Sequence, residues 1–259
     1  MEAGYAAQNL DTRYINCEVT PEDLSAAVSG AVAMGWLGFN CSLPHKESVV
    51  PLLDELAPSA SVIGAVNTVV ITDGRLIGEN TDGKGFVESL APIRDTKGAH
   101  VVIFGAGGAA RAIAVELALA GAAEITIVNR TAQRRDHLAE LLNSRTDSRA
   151  TSVAWSAQHA IPEQADVVIN ATSVGYFPNH LDTLDVDLTS FPAGAVVADV
   201  VPNPPRTRWL EAAEEAGCVT LTGMGMLVNQ ARVNARLWTG ETLDADVMHQ
   251  ALTKALGLE

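Results

Sequence analysis

The sequence has few cysteines, little positive charge and no long apolar run. Its three cysteines, Cys17, Cys41 and Cys218, stand far apart and in no Cys-x-x-Cys spacing. That pattern argues against a disulfide framework and for a reducing compartment, so a cytoplasmic protein is expected. Lys and Arg together number 17 against 31 Asp and Glu, a formal charge of −14. The field of the whole chain therefore draws neither nucleic acid nor an anionic membrane, and any anionic ligand must be met by a local basic cluster. No apolar stretch approaches the roughly 18 residues that a membrane span needs. The opening MEAGYAAQNLDTRY lacks the basic and apolar regions of a secretion signal, so a soluble chain is expected. The six histidines (His45, His100, His137, His159, His180 and His249) never fall at metal-ligand spacing with one another or with cysteine. A metal site is not expected.

What is present is apolar mass and alternation. With 47% hydrophobic residues over 259 positions, the chain can bury one large core or two smaller ones. Short β-rich runs alternate with amphipathic helical runs, the pattern of a parallel sheet covered by helices, and two such α/β blocks can be distinguished. The first runs from YINCEV (14–19) to a helix opened by Thr20-Pro21-Glu22-Asp23 and ending near Gly35, then to a strand LGFNCSL (37–43). After Pro44 a helix is expected through VVPLLDEL, followed by two β-rich runs in 66–82 joined by Asp73-Gly74, a type I′ hairpin signal. The second block opens at HVVIF (100–104) and continues with EITIVNR (124–130), TSVAW (151–155), ADVVINAT (165–172), AVVADVV (195–201) and CVTLT (218–222), with helices between some of them. Two helices, 225–240 and 243–256, close the chain with no strand after them, and the acidic LDTLDVDL (181–188) reads as a solvated surface loop.

GAGGAA (105–110) follows an apolar strand and opens a helix. In that setting Gly105 permits a tight turn, Gly107 lets the backbone approach a pyrophosphate, and Ala110 allows close helix–strand packing; the helix N-terminus offers N–H groups to phosphate. A plain glycine turn is the other reading of these six residues. Where an NAD site expects an acid at the end of the next strand, this chain has Asn129-Arg130-Thr131, with Arg134 and Arg135 one turn into the following helix. Guanidinium groups there suit a 2′-phosphate, which favours NADP(H), although a solvated helix start would also carry arginines.

A two-residue turn at Asp73-Gly74 puts Asn67 opposite Asn80, and opposed residues have Cβ atoms about 4.5–5.5 Å apart. The open end of the hairpin thus gathers Asn67, Thr68, Asn80, Thr81 and Asp82, a costly concentration of polar groups unless it serves turns or a ligand. Lys46 lies in the strand-to-helix turn FNCSLPHKESV (39–49) and can share that place. A lysine beside a carboxylate can exchange a proton with a hydroxyl as it interconverts with a carbonyl. Taken singly, Lys46 reads as a solvated helix-start lysine and Asp82 as the N-cap of a helix over 83–90. Joined to a dinucleotide loop, they favour function.

NCSLPHK (40–46), GAVNT (64–68), NTDG (80–83), GAGGAARA (105–112), NRTAQR (129–134), NATSVG (170–175) and GMLVNQA (225–231) occur in one order along nearly the whole chain. In these motifs the sequence resembles the shikimate dehydrogenase family (shikimate/quinate dehydrogenases). The resemblance implies two α/β domains: a Rossmann-type NADP-binding domain over 83–222, and a substrate-binding domain formed by 1–82 and completed by the C-terminal helices of 223–259. It implies reversible reduction of 3-dehydroshikimate to shikimate by NADPH, a step of the chorismate pathway to the aromatic amino acids. Lys46 would be the acid/base and Asp82 its partner and a hydroxyl ligand, while Ser42, Asn67, Asp82 and Gln230 would bind substrate. For NADP it implies the backbone of Gly105, Ala106, Gly107, Gly108 and Ala109, the patch Asn129, Arg130, Thr131 and Arg134, and Val200 with Gly223 near the nicotinamide.

Departures accompany the resemblance. Family members carry a strand and a Ser-x-Ser loop ahead of their first helix, whereas Met1 falls inside that helix; Pro202 stands where the family usually has tyrosine, and Ser42 replaces a threonine. The first two losses concern the surroundings of the substrate's carboxylate. Either the start lies further upstream or this is a divergent relative that holds its substrate differently. A missing strand would leave backbone groups unpaired, so marginal stability or self-association, for instance as a homodimer, is expected. Two function classes follow: an NADP-dependent dehydrogenase for shikimate, quinate or an amino analogue, and a non-catalytic NADP-binding relative. The retained Lys46 and Asp82 favour the enzyme.

Overall fold

The computed structural model describes residues 1–258; Glu259, the last residue of the expected tail segment, lies outside them. The chain divides into two compact units, one formed by Met1–Gly85 with the chain from Val228 onward, the other by Phe86–Leu227. No helix among the described residues is long and apolar enough to cross a membrane.

The first unit begins with α1 (Glu2–Ala7) and α2 (Leu24–Ala33). Between them the expected strand over 14–19 does not form. A strand exists only where a neighbour completes its ladder; here the backbone is met by side chains instead, with Tyr14 N donating to Glu2 Oε1 at 2.5 Å and His45 Nε2 lying 2.9 Å from Val19 O. Then follow β1 (Gly38–Asn40), shorter than the run 37–43, and α3 (His45–Ser48). The single helix expected after Pro44 is broken. Pro51 supplies no N–H, and the chain makes a 3-10 turn at Val50–Leu52 before the two-residue strand β2 (Glu55–Leu56) and α4 (Pro58–Ile63), neither of which was foreseen. Gly64 closes α4 at φ 70°.

β3 (Thr68–Thr72) and β4 (Arg75–Glu79) form the expected hairpin, and Asp73 (φ 51°) and Gly74 (φ 77°) both take the positive φ of a type I′ turn. The sheet order is β1-β3-β4-β2, with β1 and β4 both antiparallel to β3 and only β2 parallel to β4. This sheet is therefore mixed, not parallel. Its core joins Leu24 and Val28 of α2 to Cys41, Val49, Val66, Val69 and Leu76. The chain leaves the unit within α5 (Thr81–Leu90), which starts earlier than the 83–90 expected, and returns within α9 (Gly223–Thr239). There Val228, Ala231 and Ala235 pack with Tyr5 of α1, Leu243 and Met248, the last on α10 (Ala245–Ala255).

The second unit is a fully parallel six-stranded sheet. Its strands are β5 (His100–Phe104), β6 (Glu124–Asn129), β7 (Arg149–Ala154), β8 (Val167–Asn170), β9 (Val196–Asp199) and β10 (Val219–Leu221). The helices are α6 (Gly108–Leu119), α7 (Ala132–Arg145) and α8 (Arg208–Glu215). The order β10-β9-β8-β5-β6-β7 is that of a doubly wound dinucleotide-binding fold, reversing direction between β5 and β8. β8 and β9 are buried at every residue, as strands covered on both faces require. The acidic loop at 181–188 is not simply a solvated surface: Leu184 and Val186 are buried in the same core as Phe104, Phe191 and Trp209, while Leu181, Asp182, Thr183 and Asp185 stay exposed. Apolar residues alternating with acids were masked by the charge.

Candidate active site

The loop after β1 and the open end of the β3–β4 hairpin meet in the first unit. Lys46, in α3, donates to Asp82 Oδ2 at 2.6 Å, and both side chains are partly exposed. Asp82 Oδ1 accepts from Asn67 Nδ2 at 2.8 Å. Asn67 is buried: its Nδ2 also donates to Thr81 Oγ1 at 3.0 Å, and its Oδ1 accepts the Thr81 backbone N–H at 2.8 Å. The amide thus clamps the start of α5 to the start of β3 and holds the carboxylate. Asn80 turns the other way and donates to Ala65 O at 3.0 Å. Ser42 is exposed in the loop before α3, with Oγ 3.5 Å from Leu43 O. Gln230, on α9, joins the cluster through Asn234, whose Nδ2 donates to Gln230 Oε1 at 3.2 Å and whose Oδ1 accepts from Thr81 Oγ1 at 2.7 Å. Beside Lys46, burial pushes the Cys41 thiol up to about 11 against the opposing effect of the ammonium. Cys41 is therefore a small buried side chain at neutral pH, not a nucleophile.

In the second unit the turn between β5 and α6 has the shape that a dinucleotide needs. Gly105 adopts φ +118°, and a Cβ there would stand 2.7 Å from Ala171 O, so glycine is required on both counts. Around Gly107 and Gly108 a Cβ would meet nothing within 4 Å, which leaves an open cradle before the first N–H groups of α6. Ala106 and Ala109 are half-buried on the same turn. At the end of β6, Asn129 Nδ2 donates to Thr131 O at 3.2 Å, and the Arg130 guanidinium lies 5.1 Å from the centre of the Trp155 ring. Arg134 is exposed in the first turn of α7. A Cβ on Gly223 would stand 2.5 Å from Val201 O and 2.7 Å from the carbonyl carbon of Val200. This close approach joins Val200 and Gly223. The donor set, backbone N–H groups over open space with guanidinium, amide and hydroxyl groups one strand away, fits NADP(H).

Three parts of the chain match family models: the shikimate dehydrogenase substrate binding domain at residues 1–69, shikimate / quinate 5-dehydrogenase at 88–177, and the shikimate 5′-dehydrogenase C-terminal domain at 223–253. A shikimate dehydrogenase (NADP(+)) of Methanopyrus kandleri is 42% identical over 258 residues, 98% of this chain and 89% of the relative. The chain belongs to the shikimate dehydrogenase family. Among solved structures, the ligand-free 5-ketofructose reductase of Gluconobacter sp. strain CHM43 is 54% identical with a TM-score of 0.96, covering 98% of this chain and 91% of that one. Shikimate 5-dehydrogenase from Listeria monocytogenes, in complex with shikimate and NAD, is 35% identical with a TM-score of 0.90, covering 97% and 89%.

Against the family pattern, Pro202 is half-buried between β9 and α8 and places no hydroxyl there. Three residues bound into these clusters went unsuspected: Tyr14, Trp155 and Asn234. Asn234 left a signal, a polar residue four positions after Gln230 on a helix face whose neighbours Ala231 and Ala235 are buried. Tyr14 and Trp155 left none, because their partners lie 26 residues away or on another strand.

Proposed function

We propose that the chain catalyses the reversible, NADPH-linked reduction of 3-dehydroshikimate to shikimate. The observation that carries this reading is the Lys46–Asp82 pair held by Asn67. Lys46 donates its proton to the oxygen of the carbonyl as that oxygen gains negative charge, and in the reverse direction takes the proton from the hydroxyl. Asp82 fixes the ammonium and accepts a neighbouring substrate hydroxyl. Ser42 and Gln230 supply hydrogen bonds to the remaining oxygens, and Asn67, whose amide protons go to Thr81 and Asp82, serves the substrate by holding that carboxylate. When bound, NADPH provides the hydride; the Gly105–Ala109 turn would hold its pyrophosphate, Asn129, Arg130, Thr131 and Arg134 its 2′-phosphate, and Val200 with Gly223 would border its nicotinamide. In this reading 1–82 with 223–259 serve the substrate and 83–222 the cofactor, and the reaction runs in the cytoplasm.

One observation favours a second reading. The 54% identical structure is named for reduction of 5-ketofructose, a carbonyl compound without a carboxylate, and Pro202 stands where the family has a tyrosine. The same Lys46 and Asp82 would then serve a neutral polyhydroxy ketone. NADPH oxidation measured side by side with the two compounds decides between them: a higher kcat/KM on 3-dehydroshikimate supports the first reading, a higher value on 5-ketofructose the second. Turnover of neither, with NADPH still bound, overturns both.

A further inference from the structure

We propose that Asn234 is a positioning residue: it orients Gln230 and sets the direction of the hydrogen bonds that end on Asp82. The proposal rests on the reading of Lys46, Asp82 and Gln230 given above and deepens it.

Asn234 is 1% exposed, on a stretch of α9 whose neighbours Ala231 and Ala235 belong to an apolar cluster. An amide so placed is costly unless its polar atoms are bonded. Its Oδ1 accepts two hydroxyl protons, from Thr68 Oγ1 at 2.8 Å and Thr81 Oγ1 at 2.7 Å, and its Nδ2 donates to Gln230 Oε1 at 3.2 Å.

A hydroxyl has one proton, which makes the consequences countable. With its proton on Asn234, Thr81 Oγ1 can only accept, and Asn67 Nδ2 donates to it at 3.0 Å. The second Asn67 Nδ2 proton then goes to Asp82 Oδ1 at 2.8 Å. Thr68 behaves alike, accepting from Asn40 Nδ2 at 2.9 Å, while Asn40 Oδ1 accepts from Tyr14 Oη at 2.8 Å. Burial raises the Tyr14 phenol, so it remains a donor. With both hydroxyl protons on Asn234, the 3.1 Å contacts of Thr68 Oγ1 with Thr81 Oγ1 and with Asn67 Oδ1 carry no proton, and both Asp82 oxygens receive donors, one from Asn67 and one from Lys46. Without the Asn234 oxygen, the Thr81 hydroxyl would turn to Asn67 Oδ1, already 3.2 Å away, and the order would be lost. The bond to Gln230 Oε1 fixes the orientation of that amide, to which the proposed function gives a substrate contact.

The test uses the full chain with Asn234→Leu, close in shape and without polar atoms, alone and with Gln230→Ala, and follows the side-chain amide resonances of Asn67 and Gln230 by NMR together with kcat and KM. The expected result is displaced amide resonances of Asn67 and Gln230, a tenfold or larger rise in KM, and a much smaller effect of Asn234→Leu on KM once Gln230 is alanine. NADPH affinity should not change. If Asn234→Leu fails to melt cooperatively, Asn234→Ala, which also removes both polar atoms, is read the same way. Unmoved Asn67 and Gln230 resonances, or effects of the two substitutions that simply multiply, would overturn the proposal. Wild-type chain that turns over neither carbonyl compound overturns the reaction reading instead, and the amide resonances, which need no substrate, still decide the role of Asn234.

Discussion

Lys46 Nζ lies 2.6 Å from Asp82 Oδ2, a contact between residues 36 positions apart, with the lysine side chain 28% and the carboxylate 20% exposed. At that exposure the pair contributes little to stability, because water screens it and both side chains lose freedom. Its worth is in placement: a proton donor kept beside an acceptor at a strand-to-helix turn that solvent can reach, as the proposed proton transfer requires.

Lys46→Ala should lower kcat by about a hundredfold or more, the usual loss for a positioned acid/base. The affinity for NADPH, measured by fluorescence titration, should stay within about twofold. Unchanged turnover would remove Lys46 from the mechanism.

Arg130→Ala with Arg134→Ala should weaken NADPH far more than NADH, since only the former carries a 2′-phosphate for the guanidinium groups. Trp155→Ala should show a weaker form of the same bias. The ring supports the Arg130 guanidinium at 5.1 Å, and its Nε1 is anchored to Asp185 O at 3.0 Å. Equal losses for both cofactors would put the phosphate elsewhere.

Gly38→Ala should destabilise the first unit. A Cβ there would lie 2.1 Å from Val69 O and 2.2 Å from Trp238 Nε1, inside the hydrogen bond that ties α9 to β3 at 3.0 Å. Overpacking of this kind costs about 1–3 kcal/mol, read as a fall in Tm. A wild-type Tm would show that β1 and Trp238 move apart freely.

Burial raises the Asp199 carboxyl from 3.8 to about 6, against donors from Val201 N, Thr207 Oγ1 and Asn170 Nδ2. A raised native value means that the folded chain holds the proton more tightly than the unfolded one. Its contribution is complete below about pH 4 and is lost as the pH rises through about 6. Denaturant unfolding between these limits should show wild type losing on the order of 3 kcal/mol relative to Asp199→Asn, from about two units at 1.36 kcal/mol each. Parallel curves would contradict the shift.

Patterns of short range were legible without a structure. The Asp73-Gly74 turn announced its hairpin because both positions need positive φ, and GAGGAA announced a dinucleotide turn because a strand precedes it and a helix follows. Lys46 and Asp82 were singled out by residue type and place, though nothing in the spacing fixed their separation. What sequence could not decide was pairing. The run 14–19 has strand composition and no ladder, β2 is two residues held only by β4, and Leu184 and Val186 are buried from within an acidic loop. The direction of the hydrogen bonds from Tyr14 through Asn40, Thr68 and Asn234 to Gln230 depends on side chains from four separate parts of the chain, each with partners only the tertiary fold supplies. The sequence by itself determined which residues could do this chemistry, because that is a property of side chains and local backbone. Only the tertiary structure decided which of them share protons, because a hydrogen bond forms over about 3 Å whatever the distance along the chain.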